Sequence, residues 1–245
     1  MKKIVTFGEI MLRLSPPGFQ RFSQTYSFDV VYGGGESNVA VSLANYGLNS
    51  LFVSRIPSND IGECAMMELR KRNVDTSKVL RGGERLGIYF LETGAVSRGS
   101  KVVYDRAHSG MATISKGMIN WEEVFEGADW FHWTGITPAI SQGAAQCCLD
   151  AIKTANRLGI PVSGDINSRK NMWKYGQSMQ EVMPTLVQNC DVVITSSRGI
   201  REMFNLGQEG EKFRLAAKAL MEAFPRIRKV VGKTRKSISA SHQQI

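Results

Sequence analysis

The chain has 245 residues, of which 42% are hydrophobic and 22% charged, and a formal net charge of +9; that suits one large α/β domain of ordinary soluble composition. No apolar run reaches bilayer length, and residues 1–8 are too short in their apolar part for a signal peptide, so a cytoplasmic protein with no membrane partner is expected. The charge does not argue for nucleic acid: Arg226, Arg228, Lys229, Lys233, Arg235 and Lys236 follow Pro225 with no acidic residue and no interleaved aromatics, which leaves only +3 on the first 224 residues.

The first predicted element is a strand over residues 3–8, apolar enough to be buried on both faces. A turn at Ser15-Pro16-Pro17-Gly18 follows, then an extended piece over 26–32 that runs into Gly33-Gly34-Gly35. Glu36-Ser37-Asn38 opens a helix with Val39, Leu43 and Tyr46 on one face, closed by Gly47. A short strand at 51–53 and an amphipathic helix over 61–72 come next, and Cys64 falls within that helix.

The pattern changes at 86–107. Two β-rich runs, 87–92 and 101–105, are joined by a Gly- and Ser-containing turn with no helix between them, which predicts an antiparallel hairpin outside the main sheet. Strand and helix then alternate: strands at 129–133, 161–165, 191–195 and 228–231, helices at 142–158, 179–188, 197–204 and 211–224. Repeated β-α-β units predict a doubly wound, mostly parallel sheet in one α/β domain over 1–245. Cys147 and Cys148 fall in a helix as small core residues; with Cys190 and Cys64 they form no C-x-x-C pair, and His108, His132 and His242 are scattered, so neither a disulfide framework nor a metal site is expected.

The segment Gly33-Gly34-Gly35-Glu36-Ser37-Asn38-Val39-Ala40 has the most chemical content. Glycines followed at once by a helix start let backbone N–H groups approach a ligand, and Asn38 adds a side-chain donor and acceptor, which suits a hydroxylated or anionic small molecule. The same residues also suit a turn that merely needs unusual dihedrals. They match neither G-x-G-x-x-G nor the P-loop pattern.

This segment resembles the G-G-x-x-x-N-x-A signature of the ribokinase-like (PfkB) carbohydrate kinases. Gly8-Glu9-Ile10-Met11-Leu12-Arg13 is similar to that family's opening strand, and Asp165-Ile166-Asn167-Ser168-Arg169 to its D-x-N-x-R motif. Tyr89, Tyr104 and Arg106 stand where the 2-keto-3-deoxygluconate kinases of the family carry substrate-binding residues, and Ile136 resembles a further position of that pocket. The resemblance implies a ribokinase-like α/β fold with a small β-lid, its strands near 11–32 and 86–107, and a sugar-acid site formed by Gly33, Gly34, Gly35, Asn38, Tyr89, Tyr104, Arg106, Ile136, Asn167 and Arg169. Arg106 and Arg169 can bind a carboxylate bidentately, or stand as a solvated hairpin arginine and a helix-proximal ion pair.

The resemblance also implies ATP and Mg²⁺, with Ser196, Lys233, Thr234 and Arg235 on the nucleotide side. It implies phosphoryl transfer assisted by an aspartate in a G-A/G-G-D motif. No G-x-G-D occurs here, and that aspartate is expected beyond Ile245, after C-terminal strands and helices that are missing; 237–242 reads as a β-like stretch without its return partner. Where the family has N-x-x-E, this chain has Ser196 and Gly199, with Glu202 nearby. The expectation is therefore a kinase for 2-keto-3-deoxygluconate or a similar sugar acid, inactive as this chain alone. A non-catalytic sugar-acid-binding protein and a kinase of a neutral sugar such as fructose are the alternatives. A homodimer through the 86–107 hairpin is expected, because exposed β edges favour pairing.

Overall fold

The computed structural model describes residues 1–166, 168–232, 236–237 and 243–244. Asn167, Lys233, Thr234 and Arg235 lie outside the described residues, as does all of the 237–242 stretch except Ser237. In chain order the elements are β1 (Lys3–Phe7), β2 (Met11–Ser15), β3 (Asp29–Gly33), α1 (Gly35–Asn45), β4 (Asn49–Val53), β5 (Arg55–Ile56), α2 (Asp60–Arg70), β6 (Leu80–Arg81), β7 (Gly87–Glu92) and β8 (Lys101–Asp105). There follow α3 (Trp121–Val124), β9 (Trp130–Thr134), α4 (Thr137–Ile140), α5 (Gln142–Arg157), β10 (Val162–Asp165), α6 (Met179–Val187), β11 (Val192–Thr195), α7 (Ser197–Phe204), α8 (Phe213–Ala223), β12 (Lys229–Gly232), β13 (Lys236–Ser237) and β14 (Gln243–Gln244).

Six strands form one wholly parallel sheet in the order β12-β11-β10-β9-β1-β4. Its strands read as apolar runs because helices pack on both sides. On one face Val5, Phe7, Leu51, Phe131, Trp133, Val162 and Val193 meet α5 to α8 through Cys147, Cys148, Ile152, Met183, Ile200 and Leu220. On the other, Phe52 joins Ile10, Ala40, Ala65, Met66 and Leu69 of the α1–α2 layer. Cys147 and Cys148 are thus core residues, as expected, and burial raises the Cys147 thiol to about 11.

The helices start where polar side chains can take orphan N–H groups: Asn59 caps α2, Ser141 caps α5, Ser196 caps α7, and Ser178 with Glu181 forms a capping box on α6. The buried face of α1 differs from the expected one. Glu36, Ser37 and Ala40 are buried, whereas Tyr46 is solvent-exposed past the helix end. Gly34 closes on Glu9 and the Glu36 carboxylate on Gly8, both just past β1, so the polar Glu36 side of α1 faces inward while Val39 and Leu43 are half-buried.

A second sheet stands outside the first, in the order β3-β2-β7-β8. The predicted hairpin is its β7–β8 half, antiparallel with Tyr89 opposite Tyr104, while β2 joins it in parallel to β7, with Arg13 beside Tyr89. Strand alternation therefore puts Val31, Arg13, Tyr89 and Tyr104 in one row on one face. Phe90 points to the other face, where Phe22 and Phe28 pack edge-on against it. No described helix is long and apolar enough to cross a membrane.

Candidate functional site

The glycine segment joins the two sheets: Gly33 ends the lid strand β3 and Gly35 begins α1. Gly34 between them is the position that excludes a side chain, since a Cβ there would lie 1.9 Å from the Glu9 carbonyl oxygen. Gly35 is less restricted. Its Cβ would rest in ordinary contact, 3.5 Å from Ile136 Cδ1, which places Ile136 against the glycine loop.

Beneath the loop lies Glu36, 1% exposed. Its Oε1 accepts from Thr134 Oγ1 and Thr137 Oγ1, each at 2.7 Å, and from the Thr134 N–H at 3.2 Å. These donors favour the carboxylate, but burial outweighs them and holds the group above its ordinary range. Glu36 thus ties α1 to the β9–α4 turn that carries Ile136.

The lid row continues into the site. Tyr89 and Tyr104 lie ring to ring at 5.9 Å, and the Arg106 guanidinium sits 5.9 Å from the Tyr104 ring centre. Arg106 is held from behind: Nη2 pairs with Glu9 Oε2, whose other oxygen accepts from Ser109 Oγ at 2.6 Å. Glu9 is 4% exposed, so this carboxylate is a buried counter-charge. Arg85 grips Asp105 with two 2.7 Å hydrogen bonds and pins the strand end that leads to Arg106.

Tyr104 and Arg106 form one wall of a cavity of about 680 Å³. The rest of the lining includes Arg169, Asn171, Met172 and Lys174 after β10, where Met172 Sδ lies 3.7 Å from Arg106 Nη1, and Ala139 and Ile140 of α4. Arg169 has a left-handed backbone at φ 41, a sparsely populated conformation for a non-glycine residue. The chain thus brings Tyr104, Arg106 and Arg169 to one cavity from segments more than sixty residues apart, with Tyr89 tilted against Tyr104 and Ile136 at the loop.

Asn38 and Ser196 line other cavities. Asn38 is exposed and lines a separate cavity of about 200 Å³ with Tyr32, Glu68 and Arg72. Ser196 lines a third, of about 340 Å³, with Thr195, Ser168, Arg198 and Gly199 at the start of α7, the side expected for nucleotide. Sequence reading gave no role to Glu9, Ser109, Met172 or Lys174. Glu9 was within reach, because an acid directly after Gly8 was already part of the opening motif.

The sheet face near this end also holds His132, 7% exposed, with Nδ1 2.8 Å from Ser163 Oγ and Nε2 without a partner. Burial lowers its pKa to about 4. No group of three or more His, Cys, Asp or Glu able to hold a metal exists among the described residues.

The family model described as pfkB family carbohydrate kinase matches residues 1–234. The 2-dehydro-3-deoxygalactonokinase of Haloferax volcanii is 31% identical over 204 residues, covering 83% of this chain and 64% of that protein. The 2-dehydro-3-deoxygluconokinase of Bacillus subtilis is 29% identical over 170 residues, covering 69% of this chain and 52% of the relative. The chain thus spans between about half and two thirds of the length of these curated relatives. The crystal structure of 2-dehydro-3-deoxygluconokinase from Thermotoga maritima matches with a TM-score of 0.92 at 43% identity, covering 99% of this chain and 75% of that one. A sequence match from the first residue to 234, on a fold shared along nearly the whole chain, makes this protein a member of the pfkB family of carbohydrate kinases.

Proposed function

We propose that this chain binds 2-keto-3-deoxygluconate (2-dehydro-3-deoxygluconate) or a similar sugar acid under the lid, as the acceptor side of an ATP-dependent sugar kinase. The observation that carries this reading is the convergence of Tyr104, Arg106 and Arg169 on one cavity. Guanidinium groups donate in a fork that fits a carboxylate, and the tyrosines supply apolar cover and hydroxyls for a polyol chain. Arg106, already paired with Glu9, supplies N–H donors to such an acceptor, and Arg169 adds a cation at the same cavity. The names of the relatives support the same substrate class.

The ATP side rests on Ser196 and the start of α7, with Lys233, Thr234 and Arg235 as the further nucleotide contacts of this reading and Asn167 joining Arg169 on the sugar side. No group of three or more His, Cys, Asp or Glu able to hold a metal exists among the described residues, and Ser196 and Gly199 stand where the resemblance expects Asn and Glu. Mg²⁺ would come with ATP as the counter-ion of its phosphates. With no G-x-G-D in its sequence, the chain is expected to bind the sugar acid without transferring phosphate by itself.

The test is to saturate the chain with 2-keto-3-deoxygluconate, add ATP·Mg and assay phosphorylated product. Binding without turnover supports the reading; turnover at enzyme-like rates, on the order of 1–100 per second, contradicts the non-transferring part. The same reading includes a homodimer through the lid, motivated by Val30 at 56% and Val103 at 43% exposure on its outer face and by its open β3 and β8 edges.

A further inference from the structure

Glu9 stands where the lid meets the main sheet. It lies on the crossing from β1 to β2, and the other three lid strands close on it at their inner ends. Its carbonyl oxygen lies 1.9 Å from where a Cβ at Gly34 would sit, between β3 and α1. Its Oε1 lies 2.6 Å from where a Cβ at Gly87 would sit, at the start of β7. The same oxygen accepts from Ser109 Oγ, whose own oxygen accepts from the Ala112 N–H at 3.1 Å, so the direction of that hydroxyl is fixed. Its Oε2 pairs with Arg106, the first residue after β8.

A buried ion pair is a weak source of net stability, because the cost of desolvating both charges offsets their attraction. What this one supplies is direction. Glu9 takes Nη2 of Arg106 and leaves the other donors without a strong acceptor. Nη1 meets Met172 Sδ at 3.7 Å, and a thioether accepts weakly; Nε is buried with no partner among the described residues. Arg106 lines the cavity, whereas Glu9 does not. An arginine tethered from behind has surrendered its rotamer freedom before a ligand arrives, and its unmet donors favour an acceptor in front of it.

We infer that Glu9 is a positioning residue for the sugar acid, aiming the Arg106 guanidinium so that its free N–H groups meet the acid's carboxylate. This rests on the sugar-acid reading of the cavity and leaves the carboxylate with the arginines that line it. A fork of two hydrogen bonds to a carboxylate depends on that aim. A single hydrogen bond to a carboxamide oxygen depends on it much less, so Glu9 contributes to the preference for the acid.

The experiment titrates the unaltered chain, Glu9→Gln and Gly87→Ala by calorimetry with 2-keto-3-deoxygluconate and with its uncharged carboxamide. Glu9→Gln keeps the shape but offers one acceptor oxygen to two donors, Ser109 and Arg106. Gly87→Ala keeps every charge and hydrogen-bonding group, and its new methyl displaces the Glu9 carboxylate. The unaltered chain prefers the acid. Each variant weakens the acid by roughly 10-fold while leaving the carboxamide within about 3-fold. Equal weakening of both ligands in either variant overturns the assignment, since that is what general loosening of the lid base produces. Unchanged acid affinity overturns it too, and so does tighter acid binding by Glu9→Gln, the mark of a counter-charge alone. If Glu9→Gln does not fold, Gly87→Ala decides by the same outcomes. Failure of the unaltered chain to prefer the acid overturns the site reading itself, and shows before any variant is made.

Discussion

Glu36 and His132 are buried titratable groups whose perturbations run in opposite directions, and each makes a prediction with a definite sign. Glu36 is raised by burial, so its contribution to stability is present below the ordinary carboxyl value and is lost as pH rises through its folded value. Glu36→Gln keeps an acceptor for Thr134 and Thr137 and should lose no stability over that rise. Glu36→Ala leaves those donors unmet and should cost about 2–4 kcal/mol at any pH. His132 is depressed from 6.5 to about 4, so it contributes stability above 6.5 that is lost as pH falls through 4. That difference amounts to about 3 kcal/mol, and His132→Gln should flatten the acid limb of a denaturation series between those values. A melting curve of His132→Gln that still fell steeply from pH 6.5 to 4 would contradict the assignment. At the glycine loop, Gly34→Ala should abolish sugar-acid binding, since its Cβ meets the Glu9 backbone, whereas Gly35→Ala should weaken it only modestly; equal effects in calorimetry would contradict the geometry.

The lid shows what a sequence can and cannot disclose about elements. The β7–β8 hairpin was legible because its two strands adjoin in sequence and carry a turn between them. The parallel pairing of β2 with β7 was not, since seventy-odd residues separate them and parallel partners leave no local turn signal. That pairing is what places Arg13 beside Tyr89. The α1 helix was legible in extent, but its buried face was not: periodicity favours apolar Val39 and Leu43, while tertiary hydrogen bonding selects Glu36. Short α3 and α4 passed unseen because four residues carry no helical period. The lid's outer face yields a further prediction. Light scattering should report a dimer, and Val103→Lys should shift it to monomer without altering sugar-acid affinity, because Val103 points away from the cavity. A monomeric unaltered chain would rule the lid interface out.

For the molecule as a whole, β-α-β repetition implies parallel strands, and the parallel sheet was therefore expected, whereas its order β12-β11-β10-β9-β1-β4 was not. The site was legible only in part. Tyr104, Arg106 and Arg169 line one cavity, yet Asn38 opens on another, and the buried Glu9 that pairs with Arg106 depends on a three-dimensional approach that motif spacing does not encode. The proposed pocket is one that selects an anionic sugar. Its most direct measurement is a calorimetric titration of the folded chain with 2-keto-3-deoxygluconate against fructose at equal concentration. The account predicts saturable binding of the acid with fructose weaker by roughly 10-fold or more; equal or tighter binding of fructose would contradict it.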